Sequence, residues 1–231
     1  MRISRKSHRS YTLYLHQPKQ NKTMSNAAFI QIHPETPQER KIREAVEILR
    51  NGGVIIYPTD TIYGMGCDIH NARAVERVCQ IKGVKPDKVN LSFICSDLTH
   101  ISDYAKIDTP TYKVMKKALP GPFTFVLNAT SNVPKYASAK KKTVGIRIPD
   151  NNIALMLVKE LGNPILSTSV RDEDEVIEYS TDPELIFEKY KNLVDAVIDG
   201  GPGNNVASTV VDVNNNFEVL RQGAGDIEQY L

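Results

Sequence analysis

The stretch VIIYPTDTIYGMG, residues 54–66, joins a short apolar run to a polar, glycine-containing loop. Val54–Tyr57 has the unbroken hydrophobicity that is typical of a strand in the middle of a sheet. The loop that follows offers two hydroxyls, a carboxylate, a phenol and glycines, and ligands of open α/β sheets bind beyond the carboxyl ends of strands. The same residue types also form strand-to-helix turns in which threonine and aspartate bind backbone N–H groups. The stretch therefore predicts a central strand followed by either a ligand site or a turn.

Helical and strand-like segments alternate on both sides of this stretch. Thr36 and Glu39 have the spacing of a capping box around Pro37, and Gly52 stops the helix that they would open. Further helices are expected over residues 71–82 with Asn71 as cap, from Thr109-Pro110, from an Asp150 cap to Leu161, and from Asp182-Pro183. Further strands are expected over residues 91–95, 123–127, 143–148, 165–167 and 196–198.

The end of the chain has a different pattern. Residues 209–213 and 217–220 flank three consecutive asparagines, which favours a β-hairpin. With 231 residues, of which 41% are hydrophobic, the chain suits one core. The predicted class is α/β, a single domain with a twisted mixed sheet and helices. The acidic residues 172–178 are interpreted as a solvated loop.

Composition excludes several classes of protein. No apolar run approaches the ~20 residues needed to cross a bilayer, and the amino-terminal residues lack the short apolar block of a secretory signal, so a cytoplasmic protein without membrane contact is expected. Cys67, Cys79 and Cys95 have no C-x-x-C spacing, which favours buried free thiols over disulfides or zinc. The histidines are scattered, and no metal site is expected.

The first 23 residues form a basic segment. They carry six cations and no acid, and subtracting these from the formal charge of +2 leaves −4 for the remainder. Because Met24-Ser25-Asn26 resembles a translation start, residues 1–23 are interpreted as a start-site artefact or a disordered tail, with a nucleic-acid arm as the alternative. The folded domain is expected over residues 24–231.

Familiar catalytic motifs are absent from the sequence. Residues 200–203 (GGPG) lack the lysine and the spacing of a P-loop. Residues 167–169 (STS) follow a strand but have no histidine and aspartate spaced like those of a hydrolase, and no G-x-S-x-G is present. Neither ATP use nor a nucleophilic serine can therefore be argued from these segments.

Several short blocks taken together resemble the YrdC-like family over residues 52–225. Each block alone is weak evidence, but their order and spacing are specific. They are residues 58–66, Lys82-Gly83, residues 119–124 (LPGPFT), residues 143–149 (TVGIRIP), Ser167, residues 208–212 (STVVD) and residues 220–223 (LRQG). The resemblance implies a fold with a large concave cavity and the synthesis of L-threonylcarbamoyl-AMP from threonine, bicarbonate and ATP, with Mg²⁺ as part of the ATP complex. It also implies downstream partners that modify adenosine in tRNA.

Site residues follow from the resemblance, position by position. It implies threonine contacts from Thr59, Thr61, Tyr63, Thr143 and Arg147. It implies nucleotide contacts from Lys82, Lys85, Ser167, Ser169, Ser208 and Arg221. The resemblance implies that the catalytic residues are Lys82, Arg147 and Ser167. The planar guanidinium of Arg147 would bind the threonine carboxylate, and the cations Lys82 and Arg221 would offset the charge of the phosphates.

The chain departs from the family pattern in two places. Synthases of the family carry Lys-x-Arg and Ser-x-Asn, whereas this chain has valine at 84 and serine at 169. Lys85 could replace the arginine after a local shift, although a lysine cannot make a bidentate phosphate contact. These departures resemble the YciO branch and imply low synthetic activity.

A binding module for double-stranded RNA or tRNA is the alternative function. Most cations of the predicted domain lie between residues 82 and 147, where they would form either a basic face or a solvated set of lysines. Eleven of these cations are Lys82, Lys85, Lys88, Lys113, Lys116, Lys117, Lys135, Lys140, Lys141, Lys142 and Arg147. Few aromatic residues interleave with them, which disfavours a single-strand stacking site.

Overall fold

The computed structural model describes residues 27–84, 91–99, 101–138, 142–170 and 181–231. The helices are α1 (Glu39–Arg50), α2 (Ala72–Ile81), α3 (Ile101–Tyr104), α4 (Thr109–Ala118), α5 (Lys135–Ser138), α6 (Asn152–Leu161) and α7 (Pro183–Tyr190). The strands are β1 (Ala28–Gln31), β2 (Val54–Tyr57), β3 (Gly64–Asp68), β4 (Ser92–Ile94), β5 (Ala105–Lys106), β6 (Phe123–Ala129), β7 (Thr143–Arg147), β8 (Ile165–Ser169), β9 (Ala196–Asp199), β10 (Thr209–Asp212) and β11 (Glu218–Arg221).

These strands form one mixed sheet in the order β1-β9-β2-β3-β8-β4-β7-β6-β10-β11, with β5 beside β6. The pairs β1/β9, β9/β2, β4/β7 and β6/β10 are parallel. The other pairs are antiparallel. The predicted α/β class with a twisted mixed sheet is therefore confirmed.

Successive side chains of the central strand β2 enter two separate cores, as the alternation of a strand requires. Ile55 and Tyr57 pack with α1 and α6 on one face. Val54 and Ile56 belong to the larger core on the other face, which α2 and α4 help to close. All four side chains are fully buried, which is why this run has no polar position.

Most of the predicted elements and several of their caps are confirmed. Asn71 accepts a hydrogen bond from the Ala74 N–H at the start of α2, and Asp182 caps α7 in the same way. Gly162 ends α6 in the left-handed conformation. The last two strands pair antiparallel around the asparagines, of which Asn216 has φ 51°. The expected hairpin at the end of the chain is present.

Two predicted helix starts are wrong. Helix α1 begins at Glu39 after Gln38, without a side-chain cap, because the Thr36 hydroxyl and N–H both lie against His33 Nδ1. Helix α6 is capped by Asn151, one residue after the expected Asp150. Strands β1 and β3 are additional to the predicted elements. The interpretations of residues 1–23, of Lys85 and of residues 172–178 lie outside the described residues.

The three cysteines are buried and unpaired, as predicted. Burial raises the pKa of Cys67 and of Cys95 to about 12. Within the described ranges, no three His, Cys, Asp or Glu side chains are grouped so that they could hold a metal ion. No helix there has both the length and the apolarity that a membrane span requires.

Removal of residues 1–23 is expected to leave the melting temperature within about 2 °C of that of the full chain. The described core starts at Ala27, whose N–H donates to the Lys191 carbonyl, and the first 23 residues have no periodic apolar face that could add to it. Thermal denaturation of the two proteins in parallel checks this. A large loss of stability in the shortened protein would contradict our interpretation of the segment.

Candidate functional site

Arg147 and the loop after β2 form the centre of the candidate site. Arg147 ends β7, and its Nη2 lies 3.1 Å from Thr59 Oγ1 and 2.6 Å from Thr61 Oγ1. The same nitrogen forms an ion pair with Asp60. Only 11% of the Arg147 side chain and 10% of the Asp60 side chain are exposed. The loop therefore binds a nearly buried guanidinium through three consecutive residues.

Hydrogen bonds within the loop fix the positions of its hydroxyls. Thr59 Oγ1 donates to the Ile62 carbonyl (2.8 Å) and accepts the Thr61 N–H (3.1 Å). The sequence left open whether this segment is a ligand site or a turn, and these bonds are those of a turn. The turn also presents two threonine oxygens and a carboxylate to one arginine, so the two interpretations describe the same structure.

Two buried polar atoms at this centre have no hydrogen-bond partner within the described part of the chain. They are Asp60 Oδ2, an acceptor, and Arg147 Nε, a donor. Buried polar atoms in folded proteins are nearly always paired, and each exception calls for an explanation. One unmatched acceptor and one unmatched donor therefore belong to the same ion pair.

A cavity of about 500 Å³ adjoins this centre. Its described lining comes from the loop after β2, from the start of α7 and from the loop after β9. The lining residues are Thr59, Asp60, Thr181, Pro202, Gly203, Asn204 and Asn205. Its size is in the range of small-molecule sites.

Tyr63 attaches the loop after β9 to the loop after β2. Its hydroxyl donates to the Gly201 carbonyl (2.6 Å) and accepts the Gly200 N–H (3.3 Å). Gly203 lies so close to the ring that a Cβ there would be 2.6 Å from it. Burial raises the pKa of Tyr63 well above its usual value, so the phenol stays protonated as a donor. Tyr63 therefore holds in place the loop after β9, which forms part of the cavity wall.

Ser167 is buried beneath the site. Its hydroxyl accepts from Tyr57 (2.7 Å) and donates to the Met65 carbonyl (3.2 Å). Burial raises the pKa of Tyr57 far above its usual value, so this phenol is neutral. Gly64 leaves room for the pair, because a Cβ there would lie 3.0 Å from both Ser167 Oγ and the Tyr57 ring.

Tyr57→Phe is expected to lower the free energy of unfolding by about 1–2 kcal/mol, because it removes a buried hydrogen-bond donor from Ser167. Denaturant unfolding measures this loss. Tyr112→Phe is the matched control, because Tyr112 is 42% exposed and should tolerate the same change. Equal stability of the Tyr57 variant and the native protein would show that the buried pair contributes nothing.

Lys82 connects the two segments that carry the departures from the family pattern. Lys82 Nζ is 3.5 Å from the Val170 carbonyl, so the end of α2 meets the end of β8. Val84 follows two residues after Lys82 and is 39% exposed, and Ser169 is exposed at the last position of β8. Lys85 lies outside the described residues.

Ser208 and Arg221 form a second polar cluster with Thr124. Arg221 donates from Nε (3.3 Å) and Nη2 (2.8 Å) to the Ser208 carbonyl. The Ser208 hydroxyl is 2.9 Å from Thr124 Oγ1. The cluster joins β6, the start of β10 and the edge strand β11.

Small side chains line the sheet between Ser167 and this second cluster. Ser92 pairs with Ser167 on one side and with Gly145 on the other. A Cβ at Gly145 would lie 3.2 Å from Thr124 Cγ2 and 3.5 Å from Ser92 Cβ, so all three positions share one face. These residues are half-buried, whereas their strand neighbours enter the core. The sheet therefore presents a floor without large side chains.

The structure brings together Thr59, Thr61 and Arg147, with Tyr63 behind them. Thr143 lies apart from them, four residues before Arg147 on the same strand, or about 13 Å along it. Of the described lining, only Thr59 was among the predicted site residues. The carboxylate of Asp60 was noted as part of a possible ligand loop without a role of its own. The residues that were missed are Thr181, Pro202, Gly203, Asn204 and Asn205. In the sequence, the feature that pointed to the loop after β9 was the glycine-rich segment 200–203, which directly follows a predicted strand.

The lysines proposed for RNA are only partly described. Lys113, Lys116 and Lys117 are exposed on α4. Lys85, Lys88, Lys140 and Lys141 lie outside the described residues, so a basic face stays a prediction.

Comparison with known proteins agrees with the resemblance. The family model Sua5_yciO_yrdC, described as "Telomere recombination", matches residues 47–223. The chain is 42% identical to the "Uncharacterized protein YciO" of Escherichia coli over 205 residues, which cover 88% of this chain and 98% of that protein. It is 33% identical over 130 residues to a threonylcarbamoyl-AMP synthase of Halorhodospira halophila, covering 56% of this chain and 68% of the synthase.

Solved structures of the same group are also similar. The crystal structure of E. coli YciO superposes with a TM-score of 0.82 at 40% identity, covering 89% of this chain and all of that one. The structure of P. abyssi Sua5 complexed with L-threonine gives a TM-score of 0.79 at 30% identity, covering 88% of this chain and 59% of Sua5. The chain therefore belongs to the Sua5/YciO/YrdC family.

Proposed function

We propose that this protein forms L-threonylcarbamoyl-AMP from threonine, bicarbonate and ATP. The observation that carries the proposal is the nearly buried Arg147, which binds Thr59 and Thr61 beside the cavity that Thr59 and Asp60 line. A planar guanidinium matches the geometry of a carboxylate. A relative that is a threonylcarbamoyl-AMP synthase and a Sua5 structure complexed with L-threonine support this assignment.

The nucleotide would lie on the floor of small residues. Ser92, Gly145 and Thr124 leave room above the sheet, and the Ser208–Arg221 cluster lies at its far side. Lys82 and Arg221 would offset phosphate charge without a P-loop. Mg²⁺ would enter as part of the ATP substrate. The buried Ser167 would act by fixing Tyr57 and β3 beneath the ligand, since both of its hydrogen bonds are internal.

The chemistry requires positioning and charge neutralisation, with no covalent intermediate. The amine of threonine forms an N–C bond with bicarbonate and water leaves, which gives a carbamate. A carbamate oxygen then attacks the α-phosphorus of ATP, and pyrophosphate leaves with the electron pair of the broken P–O bond. Arg147 and the threonine hydroxyls would hold the amino acid, while Lys82 and Arg221 stabilise charge on the departing phosphates. The product would supply threonylcarbamoyl groups to partner proteins that modify adenosine in tRNA.

The test is direct detection of the product. The protein is incubated with ATP, Mg²⁺, threonine and ¹³C-bicarbonate, and the adenylate is sought by mass spectrometry. We expect a product whose mass carries the label and which disappears when threonine is omitted. Absence of product at high protein concentration would contradict the proposal. RNA binding with a steep salt dependence and no product would favour the RNA-binding alternative.

A further inference from the structure

Asp60 has no role in the function described so far. One of its oxygens forms the ion pair with Arg147, while Oδ2 is buried and has no hydrogen-bond partner among the described residues. We propose that Asp60 is the receptor for the α-ammonium group of the amino acid and makes the site selective for zwitterions. The inference rests on the proposed function, because it concerns the amino-acid end of the same cavity.

Charge balance provides the first argument. Arg147 is already neutralised by Asp60 in the ion pair. A ligand with a carboxylate alone would leave one excess negative charge in a nearly buried site, and an uncompensated buried charge is strongly unfavourable. A zwitterionic amino acid brings one charge of each sign. The side chains of Asp60 and Arg147 and the ammonium and carboxylate of the ligand therefore have no net charge together.

Unmatched hydrogen-bonding groups provide the second argument. The pair leaves one acceptor, Asp60 Oδ2, and one donor, Arg147 Nε. An α-amino acid supplies the complementary donor, its ammonium, and the complementary acceptor, its carboxylate, on adjacent carbons. A small rotation of the Asp60 side chain toward the cavity that it lines would open Oδ2 to the ligand.

No described residue in the cavity wall other than Asp60 offers a carboxylate to an ammonium group. Asp60 is the single ionisable side chain in the described lining. Thr59 Oγ1 already donates to the Ile62 carbonyl, and Asn204 Oδ1 accepts the N–H groups of Asn205 and Val206. The ammonium therefore finds its carboxylate partner in Asp60.

The experiment crosses a side-chain change with a ligand change. Binding of L-threonine and of 3-hydroxybutyrate, which lacks the amine, is measured by calorimetry for the native protein and for Asp60→Asn. The NH₂ group of the introduced asparagine would face either the ammonium of the ligand or Arg147. Both arrangements are unfavourable because they place two hydrogen-bond donors against each other. We expect the native protein to prefer threonine at least about tenfold, since a charge-assisted hydrogen bond contributes this much. In the variant, threonine affinity should fall about tenfold or more, while 3-hydroxybutyrate binds at least as well as before.

Asp195→Asn is the matched control. Asp195 also pairs with an arginine, Arg77, but lies at the opposite end of β9 from the cavity. The Asp195→Asn variant should bind threonine and 3-hydroxybutyrate with the same affinities as the native protein. If Asp60→Asn weakens both ligands equally, Asp60 only orients Arg147 and the inference is wrong. Should that variant fail to fold, the native protein still decides, because equal affinity for both ligands would overturn the inference.

A panel of other amino acids separates this inference from the proposed function. Binding of a different amino acid that depends on Asp60 in the same way would support the receptor and contradict threonine as the substrate. Failure of every amino acid to bind the native protein would overturn both.

Discussion

Arg147→Lys is expected to lower the affinity for threonine by about a hundredfold, with little loss of fold stability. Arg147 Nη2 contacts Thr59, Thr61 and Asp60 together. Under the proposed function, the rest of the planar guanidinium would bind the carboxylate of the ligand. Lysine keeps the charge opposite Asp60 but loses the planar fork. Two lost charge-assisted bonds at ~1.5 kcal/mol each give this factor. Calorimetry with threonine and denaturant unfolding measure the two quantities separately.

Arg77→Lys is the matched control for this change. Arg77 also pairs with an aspartate, Asp195, and donates to the Leu193 carbonyl, but it belongs to α2 and faces β9 outside the cavity. Threonine binding should be unchanged in this control. If Arg147→Lys instead unfolds the protein while binding per folded molecule is unchanged, Arg147 is a structural residue.

Val84→Arg combined with Ser169→Asn is expected to raise threonine-dependent release of pyrophosphate by about a hundredfold. The family resemblance implies that an arginine would bind the polyphosphate here and that an asparagine would orient the nucleotide. Each such contact contributes ~1.5–3 kcal/mol, and ~1.4 kcal/mol is a factor of ten in rate.

The structure makes this double change practicable. Val84 and Ser169 are both exposed, so larger side chains need no repacking of the core. The contact between Lys82 and the Val170 carbonyl holds their two segments together. Because both new side chains would meet one nucleotide, their effects need not add. The single variants should therefore be measured as well. A native rate equal to that of a relative with both motifs complete would show that another group already fills the arginine's role.

Sequence pattern was sufficient for the elements whose signal is local. The apolar run of β2, the Asn71 cap and the Asp182 cap each depend on neighbouring residues. Strand β3 was not recognised because its sequence, GMGCD, reads as a loop. Its glycines are explained only by packing, since a Cβ at Gly64 or Gly66 would contact the Tyr57 ring.

The candidate site shows the same limit. Thr59, Thr61 and Arg147 were expected to act together from the family resemblance, and they are in contact. The other wall of the cavity depends on a hydrogen bond from Tyr63 to Gly201, 138 positions away, which no local pattern encodes. Thr36 fails as a helix cap for a related reason, because His33 competes for its hydroxyl. Contacts between distant residues, and competition between near ones, decide what pattern alone cannot.

The order of the strands has a consequence for biosynthesis. Strand β9 lies between β1 and β2 and pairs with both, so the amino-terminal edge of the sheet cannot close until residues 196–199 have left the ribosome. Pairing between strands that are so far apart in the sequence slows folding, and strands that are still unpaired are prone to aggregation. The ligand cavity also forms late, because its wall contains both Thr59 and Asn204, and Asn204 is synthesised long after Thr59. Nascent chains that stall before β9 should therefore depend on chaperones for solubility and bind no amino acid.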